Sequence, residues 1–422
     1  MLNLAERHII NLNHPNYKEC DELSFKSKNI YNLSIYKIRQ GFFVDDYKPL
    51  NNLFNEMKIE DCFKELPMKV ATTTIIQVQK NFKAFFKAIK DFKVNPSKYK
   101  GRPKLPSYLD KEKGRFLISY NYQAISKKVF NKAHKIKLSG TNIEFYTKLE
   151  DFSSIACVRI VPRLDHYVIE VVYSVEDVKS VRDNHRYASV DLGVNNLATI
   201  TSNTKELTPI IINGKPLKSI NQFYNKKLAR LKSVLELRNK KKTSKELRKL
   251  TNKRNNKVDN YLHKASKEVI KQLKENNISK LVIGLNKQWK TECNISKKNN
   301  QNFVQIPHSR FISMLAYKCE REGIRVIMQE ESYTSKASFL DLDDIPVYGD
   351  KEIPDFSGYR QSRGIYKLKG RKIVLNADVN GSYNILRKAI PTVFRNYADR
   401  EFYINKIYTR YTKKIIKYNI SK

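Results

Sequence analysis

The order of apolar segments from Arg186 onward is the feature that most constrains how this chain can fold. RYASVDLGVNNLATITS has the alternation of a two-stranded hairpin, and IIINGKPLKSI follows as a further short strand. KLVIG and IRVIM are short buried strands, and the helical stretch PHSRFISMLAYKCEREG lies between them. A strand–helix–strand order of this kind suits a right-handed crossover in a mostly central sheet. These segments therefore predict an α/β core.

Three acidic residues stand at the ends of these elements. Asp191 ends the first strand of the hairpin, Glu331 follows IRVIM, and Asp378 stands at a helix start in NADVNGSYNILRK. An RNase H-type nuclease gathers carboxylates in this order around two Mg²⁺ ions, about 4 Å apart, which activate water and stabilise the leaving oxygen of a phosphodiester. Each acid also has an ordinary interpretation, as a turn Asp, a solvated strand-end Glu or an N-cap Asp.

The net charge indicates a polyanionic partner. Lys and Arg number 81 against 42 Asp and Glu, and the formal charge is +39. An excess of this size implies extended contact with nucleic-acid phosphates and salt-sensitive affinity. The alternative is a generally basic protein from an AT-rich genome, because Lys, Asn and Ile are abundant.

Cysteine usage and hydropathy exclude other classes. The five cysteines are odd in number and no two form C-x-x-C, which argues against a disulfide framework and a four-cysteine zinc site. No apolar run approaches the ~20 residues of a membrane span, and the N-terminus lacks the apolar core of a signal peptide. We expect a cytoplasmic or nucleoid-associated protein (nuclear in a eukaryotic host), without membrane contact and with a monomer favoured.

The first half of the chain has two patterns. Residues 23–44 and 66–92 have helical spacing, and the aromatic residues Phe82, Phe85 and Phe86 in the second stretch are expected in the core. An irregular basic arm follows at 93–108. Residues 115–177 contain short alternating runs separated by turn residues, which predict a β-rich barrel or wedge.

Several longer stretches resemble the TnpB proteins of insertion sequences. They include VDLGVNNLAT, EESYTSKASFLD, FSGYRQSRGIY and NADVNGSYNILRK in the second half, and GRPKLPSY and RIVPRLDHYVIEVVY in the first. The resemblance spans almost the whole chain. It implies a compact RNA-guided DNA endonuclease, related to the single-RuvC CRISPR effectors and to the eukaryotic Fanzor proteins.

The resemblance also implies a domain order. We expect a fold of α/β plus β-barrel and helical modules: an RNase H-like (RuvC) nuclease core, a split wedge β-barrel and an inserted helical recognition domain. The expected boundaries are a first wedge strand at 1–14, the helical recognition domain at 15–110, the wedge barrel at 111–182, the RuvC-like nuclease at 183–335 with a helical hairpin at 220–278, a target-nucleic-acid-binding insertion at 336–371, the last RuvC motif at 372–395 and a basic tail at 396–422.

The position of the middle acid departs from most of the family. Most TnpB proteins place the catalytic Glu at the end of the middle RuvC strand, whereas LVIGLNKQWK has Gly284 there and the next acid is Glu292. One branch, similar to Fanzor, moves the Glu to the next strand, and Glu331 fits that place. We prefer Glu331 to Glu330, which would point to the opposite face of a continuing strand. The resemblance thus implies Asp191, Glu331 and Asp378 as catalytic residues and as ligands of two Mg²⁺ ions, with Mn²⁺ as a substitute.

A second departure concerns zinc. Many relatives carry two C-x-x-C pairs in the insertion, but Ala337 and Ser338 stand where the first pair would start, and 336–371 contains no Cys. Structural zinc takes four Cys or His ligands, so we expect no zinc. Packing is expected to hold the insertion instead, through Phe339, Tyr348, Phe356 and Tyr359.

The expected partners are a guide RNA and a double-stranded target DNA. Candidate nucleic-acid-binding residues are Lys100, Arg102 and Lys104 in the basic arm, Lys287 and Lys290 after the middle strand, and Arg360 and Arg363 in the insertion. Trp289 is expected to cap the core or stack on a base. Two alternatives stay open. Gly284 favours a guided DNA-binding protein that does not cleave. The other alternative is a DNA transposase, although no Tyr or Ser recombinase constellation is identifiable.

Overall fold

The computed structural model describes residues 2–42, 49–239, 243–285, 301, 304–350, 352–362, 364–371, 374–394, 416–418 and 420. The chain divides into two compact units, Met1–Glu176 and Asp177–Lys422. The boundary lies a few residues before the expected start of the nuclease at 183. None of the described helices is long and apolar enough to cross a membrane.

The first unit combines a sheet with a block of helices. Its strands are β1 (Leu2–Ile10), β2 (Ile118–Asn121), β3 (Lys135–Lys137), β4 (Glu144–Tyr146), β5 (Ile155–Pro162) and β6 (Tyr167–Val175). Its α-helices are α1 (Tyr17–Gly41), α2 (Pro49–Met57), α3 (Asp61–Lys64), α4 (Met68–Val94) and α5 (Lys127–Ala133). The helical stretches expected at 23–44 and 66–92 correspond to α1 and α4.

The first strand joins the later β-rich segment across the helical insertion. β1 pairs antiparallel with β6 over its full length, from Leu2 opposite Val175 to Ile10 opposite Tyr167. The described strands form a four-stranded sheet of order β1-β6-β5-β2 and a separate β3-β4 pair, where a barrel was expected. Helices pack on the sheet, because Ile160 and Ile169 share one hydrophobic core with Ile35 and Val78. Phe82 of the aromatic stripe is fully buried in that core.

The second unit is built on a mixed six-stranded sheet, which confirms the α/β prediction. Its elements are β7 (Tyr187–Leu192), β8 (Asn196–Ser202), β9 (Ile210–Asn213), α6 (Lys215–Asn239), α7 (Lys245–Glu275), β10 (Lys280–Gly284), α8 (His308–Arg321), β11 (Arg325–Gln329), β12 (Gly358–Ser362), β13 (Ile365–Leu368), β14 (Val374–Asn376), α9 (Ala377–Ala389) and β15 (Ile416–Tyr418). The strand order is β11-β10-β7-β8-β9-β15, with β10 parallel to both β7 and β11.

Both faces of this sheet are covered. Val190 and Ile283 share a core with α7 and α8, whereas Val282 packs in a second core with Val379 and Tyr383 of α9. Alternation along β7 therefore turns Ser189 and Asp191 toward α9. Ser189 Oγ donates to the backbone oxygen of Ser382 at 2.6 Å and anchors α9 on that face.

The segment 336–371, the expected target-nucleic-acid-binding insertion, contains two short strands. β12 and β13 form an antiparallel sheet with β14, which leads directly into α9. The strands escaped sequence analysis because GYRQS and IYKL are short and mostly polar, without a sustained alternation. The sheet carries Arg360 to the start of α9.

Candidate active site

Asp191 lies near the end of β7, beneath the first turns of α9. A Cβ added at Gly381 would lie 3.0 Å from Asp191 Oδ2, so the missing side chain is what lets α9 approach the carboxylate. Burial raises the pKa of Asp191 well above its ordinary range, and the charges of Glu331 and Asp378 raise it further against the opposing charge of Arg360. The surroundings of the carboxylate therefore disfavour its ionised form.

Glu331 lies in the turn after β11, beside the end of the neighbouring strand β10. Gly284 pairs in register with Gln329, and a Cβ added at Gly284 would lie 2.6 Å from Glu331 Oε2. The same Cβ would lie 2.6 Å from Cδ1 of Ile385. The Glu331 carboxylate thus occupies the space that a side chain from position 284 would fill. Burial, with the nearby charge of Glu330, raises the pKa of Glu331 to about 7.

Asp378 lies in the first turn of α9, but it does not cap the helix. Asn376 is the N-cap, and its Oδ1 accepts from the backbone N–H groups of Asp378 and Val379. The Asp378 carboxylate instead accepts from Asn196 Nδ2 at 2.7 Å and pairs with Arg360 Nη2 at 3.0 Å. N-capping, the ordinary role of an acid at a helix start, is therefore performed by Asn376 and does not explain Asp378.

The three acids line one cavity of about 540 Å³. Its wall also contains Asn196, Lys218 and Arg360. Among the residues that the structure describes, no group of three His, Cys, Asp or Glu side chains is close enough to hold one metal ion. The acids thus share a cavity without forming a ready-made ligand set, and the Asp378 carboxylate is engaged by Asn196 and Arg360.

The donor chemistry of the cavity nevertheless suits a hard cation. The three carboxylates and the Asn196 amide offer oxygen ligands, which Mg²⁺ prefers. Because Gly284 has no side chain, the Glu331 carboxylate has space at the cavity wall. Burial raises the pKa values of both Asp191 and Glu331, the charges of Glu331 and Asp378 raise that of Asp191 further, and a bound cation would oppose these shifts.

Glu330 lies differently from its neighbour. Its carboxylate pairs with Lys388 Nζ at 2.6 Å and accepts from the backbone N–H of Ser332 at 2.7 Å. Lys388 also donates to the backbone oxygens of Ser332 and Pro346. Glu330 is thus a structural anchor for this turn, whereas Glu331 lines the cavity.

The candidate nucleic-acid-binding residues fall in different places. Lys100, Arg102 and Lys104 are exposed in an irregular segment after α4, and Arg360 lines the cavity with its side chain 46% exposed. Lys287, Lys290, Arg363 and Trp289 lie outside the described residues, as does Glu292.

Sequence analysis overlooked two polar residues of the cavity. Asn196 belongs to the VNN that follows the Asp191 turn, and this repeated amide was the available signal. Lys218, which donates to Asn195 Oδ1 at 3.4 Å, had no comparable signal in a chain so rich in lysine.

The insertion is held by hydrogen bonds as well as by packing. Asp343 Oδ2 accepts from the backbone N–H groups of Ser338 and Ser357 at 2.7 and 2.9 Å, which joins the start of the segment to the residue before β12. Phe339 stacks on Tyr383 with ring centroids 4.4 Å apart. Tyr348, however, is 82% exposed, so its expected packing role is wrong. Tyr359 is also largely exposed, because it lies on an outer strand of a small sheet.

Two family models and one curated relative match parts of this chain. A family model described as "Probable transposase" (OrfB_IS605) matches residues 146–290, and the model of the Cas12f1-like TNB domain matches 308–385. The "TnpB-like protein ORF457" of Acidianus two-tailed virus is 24% identical over 225 residues, 50% of this chain but only 43% of that relative.

A solved structure shares the fold. The cryo-EM structure of a Cas12f1–sgRNA–target DNA complex covers 87% of this chain and 83% of its own, with a TM-score of 0.50 and 14% identity. At that identity the likeness concerns the fold, an α/β RuvC-type core with added modules. The two family models and the viral relative show that this chain is similar to TnpB proteins, and the solved structure shows a shared fold.

Proposed function

We propose that this protein is an RNA-guided, Mg²⁺-dependent DNA endonuclease of the TnpB type. The observation that carries the proposal is the position of the Glu331 carboxylate. It fills the space beside Gly284 and lines one cavity with Asp191 and Asp378. A carboxylate lost from the end of β10 is thus replaced from the adjacent turn.

Asp191, Glu331 and Asp378 would hold the metal, with Mn²⁺ as a substitute for Mg²⁺. When bound, two such ions activate water and stabilise the leaving oxygen of a phosphodiester. Asn196 orients the Asp378 carboxylate through its amide N–H. Arg360 pairs with Asp378 at the wall of the cavity, and its guanidinium would be the group there that donates to a phosphate of the nucleic acid.

The partners follow from the family and the charge. The Cas12f1 complex contains a single-guide RNA and target DNA, and we extend that pair to this chain. The net charge of +39 suits contact with two polyanions. In RNA-guided nucleases, base pairing between guide and target reads the sequence, and the protein reads only a short flanking DNA motif.

Replacing Asp191 with Asn tests the proposal. The change keeps the volume beneath Gly381 but removes one charged ligand, so cleavage of a matched plasmid should fall by about 10²–10³-fold or more. Copurified RNA should remain bound. Asp355→Asn, at a side chain that is 90% exposed, is the matched control and should cut normally. Cleavage by Asp191→Asn at the control rate would refute the assignment.

A guided DNA-binding protein without cleavage is the second candidate. Two observations favour it: position 284 has no side chain, and the described acids do not form a three-residue ligand set. The discriminating measurement is Mg²⁺-dependent nicking of a plasmid that matches the copurified RNA. Binding without nicking, across Mg²⁺ and Mn²⁺, would favour the binder.

A further inference from the structure

One buried glutamate in the first unit is surrounded by arginines. The strand register places Arg159 of β5, Glu170 of β6 and Arg7 of β1 directly opposite one another. Arg159 Nη2 lies 2.7 Å from Glu170 Oε2, and Arg7 Nε lies 3.2 Å from Oε1. Arg163 Nη2 approaches the same oxygen at 3.9 Å. We call Arg7, Arg159 and Arg163 around Glu170 the arginine row.

The exposures within the arginine row are unequal. The Glu170 side chain is 5% exposed, whereas those of Arg7, Arg159 and Arg163 are 51%, 39% and 47% exposed. The carboxylate therefore lies beneath a layer of guanidinium groups that face the solvent. Three positive charges stand against one negative charge, so the row keeps a positive excess after its internal pairing.

The buried carboxylate restrains the arginines. An exposed arginine normally samples many rotamers, and ordering it opposes binding. Here the Glu170 carboxylate holds the guanidinium groups of Arg7 on β1, Arg159 on β5 and Arg163 just after β5. Each guanidinium group keeps further N–H donors for a ligand. The planar fork of arginine matches a phosphate through two parallel hydrogen bonds.

We propose that the arginine row is a site for backbone phosphates of nucleic acid and that Glu170 is its positioning residue. The inference rests on the nucleic-acid-binding part of the proposed function and not on cleavage. RNA and DNA offer the same phosphodiester oxygens, so the experiment needs both as probes.

Glu170→Gln separates positioning from net charge. The variant gains one positive charge, so electrostatics alone would tighten binding. Loss of orientation should instead weaken it by about 5–10-fold, with the slope of log affinity against log salt smaller by roughly one for each lost phosphate contact. Glu150→Gln, at an exposed acid of the same unit, adds the same charge without touching the row and should bind slightly tighter.

The full chain is titrated with a structured RNA and, separately, with a DNA duplex at several salt concentrations. Weaker binding of either probe supports the site and identifies its source. Binding by Glu170→Gln that equals or exceeds that of Glu150→Gln on both probes overturns it. Arg159→Lys keeps the charge but loses the fork; it should also weaken binding, and it decides the question if Glu170→Gln does not fold. Normal plasmid cleavage by Asp191→Asn would refute the assignment of the nuclease site but would leave this binding result unchanged.

Discussion

Glu170, which is buried, and Glu331, which is half-buried, are two glutamates with opposite surroundings. Glu170 lies beneath three guanidinium groups that neutralise it. Glu331 lies near acids, and burial together with the Glu330 charge raises its pKa to about 7. The carboxylate of Glu331 also adds to the raised pKa of Asp191.

The difference separates an internally balanced site from an unbalanced one. A carboxylate with its counter-charges in place can organise a surface without any ligand, which is what the arginine row requires of Glu170. Carboxylates gathered against their own repulsion store an unfavourable interaction that a divalent cation relieves. The first arrangement favours stability, and the second favours binding of an ion.

Gly284→Ala should have the largest effect on this comparison. The new Cβ would meet both the Glu331 carboxylate and Ile385 at 2.6 Å, a distance at which both side chains must move. Overpacking of this kind destabilises by about 2–3 kcal/mol, and displacement of Glu331 should lower plasmid cleavage as well. Denaturant unfolding and single-turnover cleavage measure the two effects.

Gly101→Ala is the matched control, because a Cβ there would have nothing within 4 Å. It should leave both stability and cleavage nearly unchanged. If Gly284→Ala behaves like Gly101→Ala, the Glu331 carboxylate does not depend on the space at position 284, and its position in the cavity loses its explanation.

Glu331→Gln should stabilise the metal-free protein. The folded pKa of about 7 lies above the ordinary 4.5, so the wild type loses stability as the pH rises from 4.5 through 7, where the folded state must give up a proton that it holds tightly. The neutral amide avoids this loss. In EDTA above pH 7, we expect the free energy of unfolding to rise by roughly 2 kcal/mol.

The pH profile supplies the control for this variant. At about pH 4 Glu331 is mostly protonated in both the folded and the unfolded wild type. Wild type and Glu331→Gln should therefore unfold at similar denaturant concentrations. Mg²⁺ should stabilise the wild type more than the variant. A variant that is less stable than the wild type at both pH values would show that Glu331 is compensated in the way Glu170 is.

The helices and strands of the fold could be predicted from the sequence more completely than the contacts between them. The hairpin at 187–202 and the helix at 377–389 follow from strong local periodicity, and both carry an acid of the cavity. The roles of Gly381 and Asn196 depend on contacts with Asp191 and Asp378 across more than 180 residues, so the sequence could not assign them, although the repeated amide in VNN marked Asn196 as a candidate. The choice between Glu330 and Glu331 rested on strand alternation, yet β11 ends at Gln329 and Lys388 is what holds Glu330.

The arginine row also could not be predicted from the sequence, because it depends on contacts between distant segments of the chain. Arg7 and Arg159 belong to different segments of the chain, and only the register of β1, β6 and β5 brings them to either side of Glu170. A slip of one residue would have turned the arginines to the opposite face. Charge composition alone predicted contact with nucleic acid but not where an arginine would be oriented for it.

Glu170→Gln should destabilise the protein, with the sign opposite to that of Glu331→Gln. The substitution leaves three guanidinium groups without the charge that holds them, and they then repel one another. Because the arginines are partly exposed, solvent screens the loss, and we expect about 1 kcal/mol. Denaturant unfolding at neutral pH measures it, with Glu150→Gln expected within about 0.5 kcal/mol of wild type. Stabilisation by Glu170→Gln would mean that burying this carboxylate is as unfavourable as burying Glu331, and the distinction between a balanced and an unbalanced site would fail.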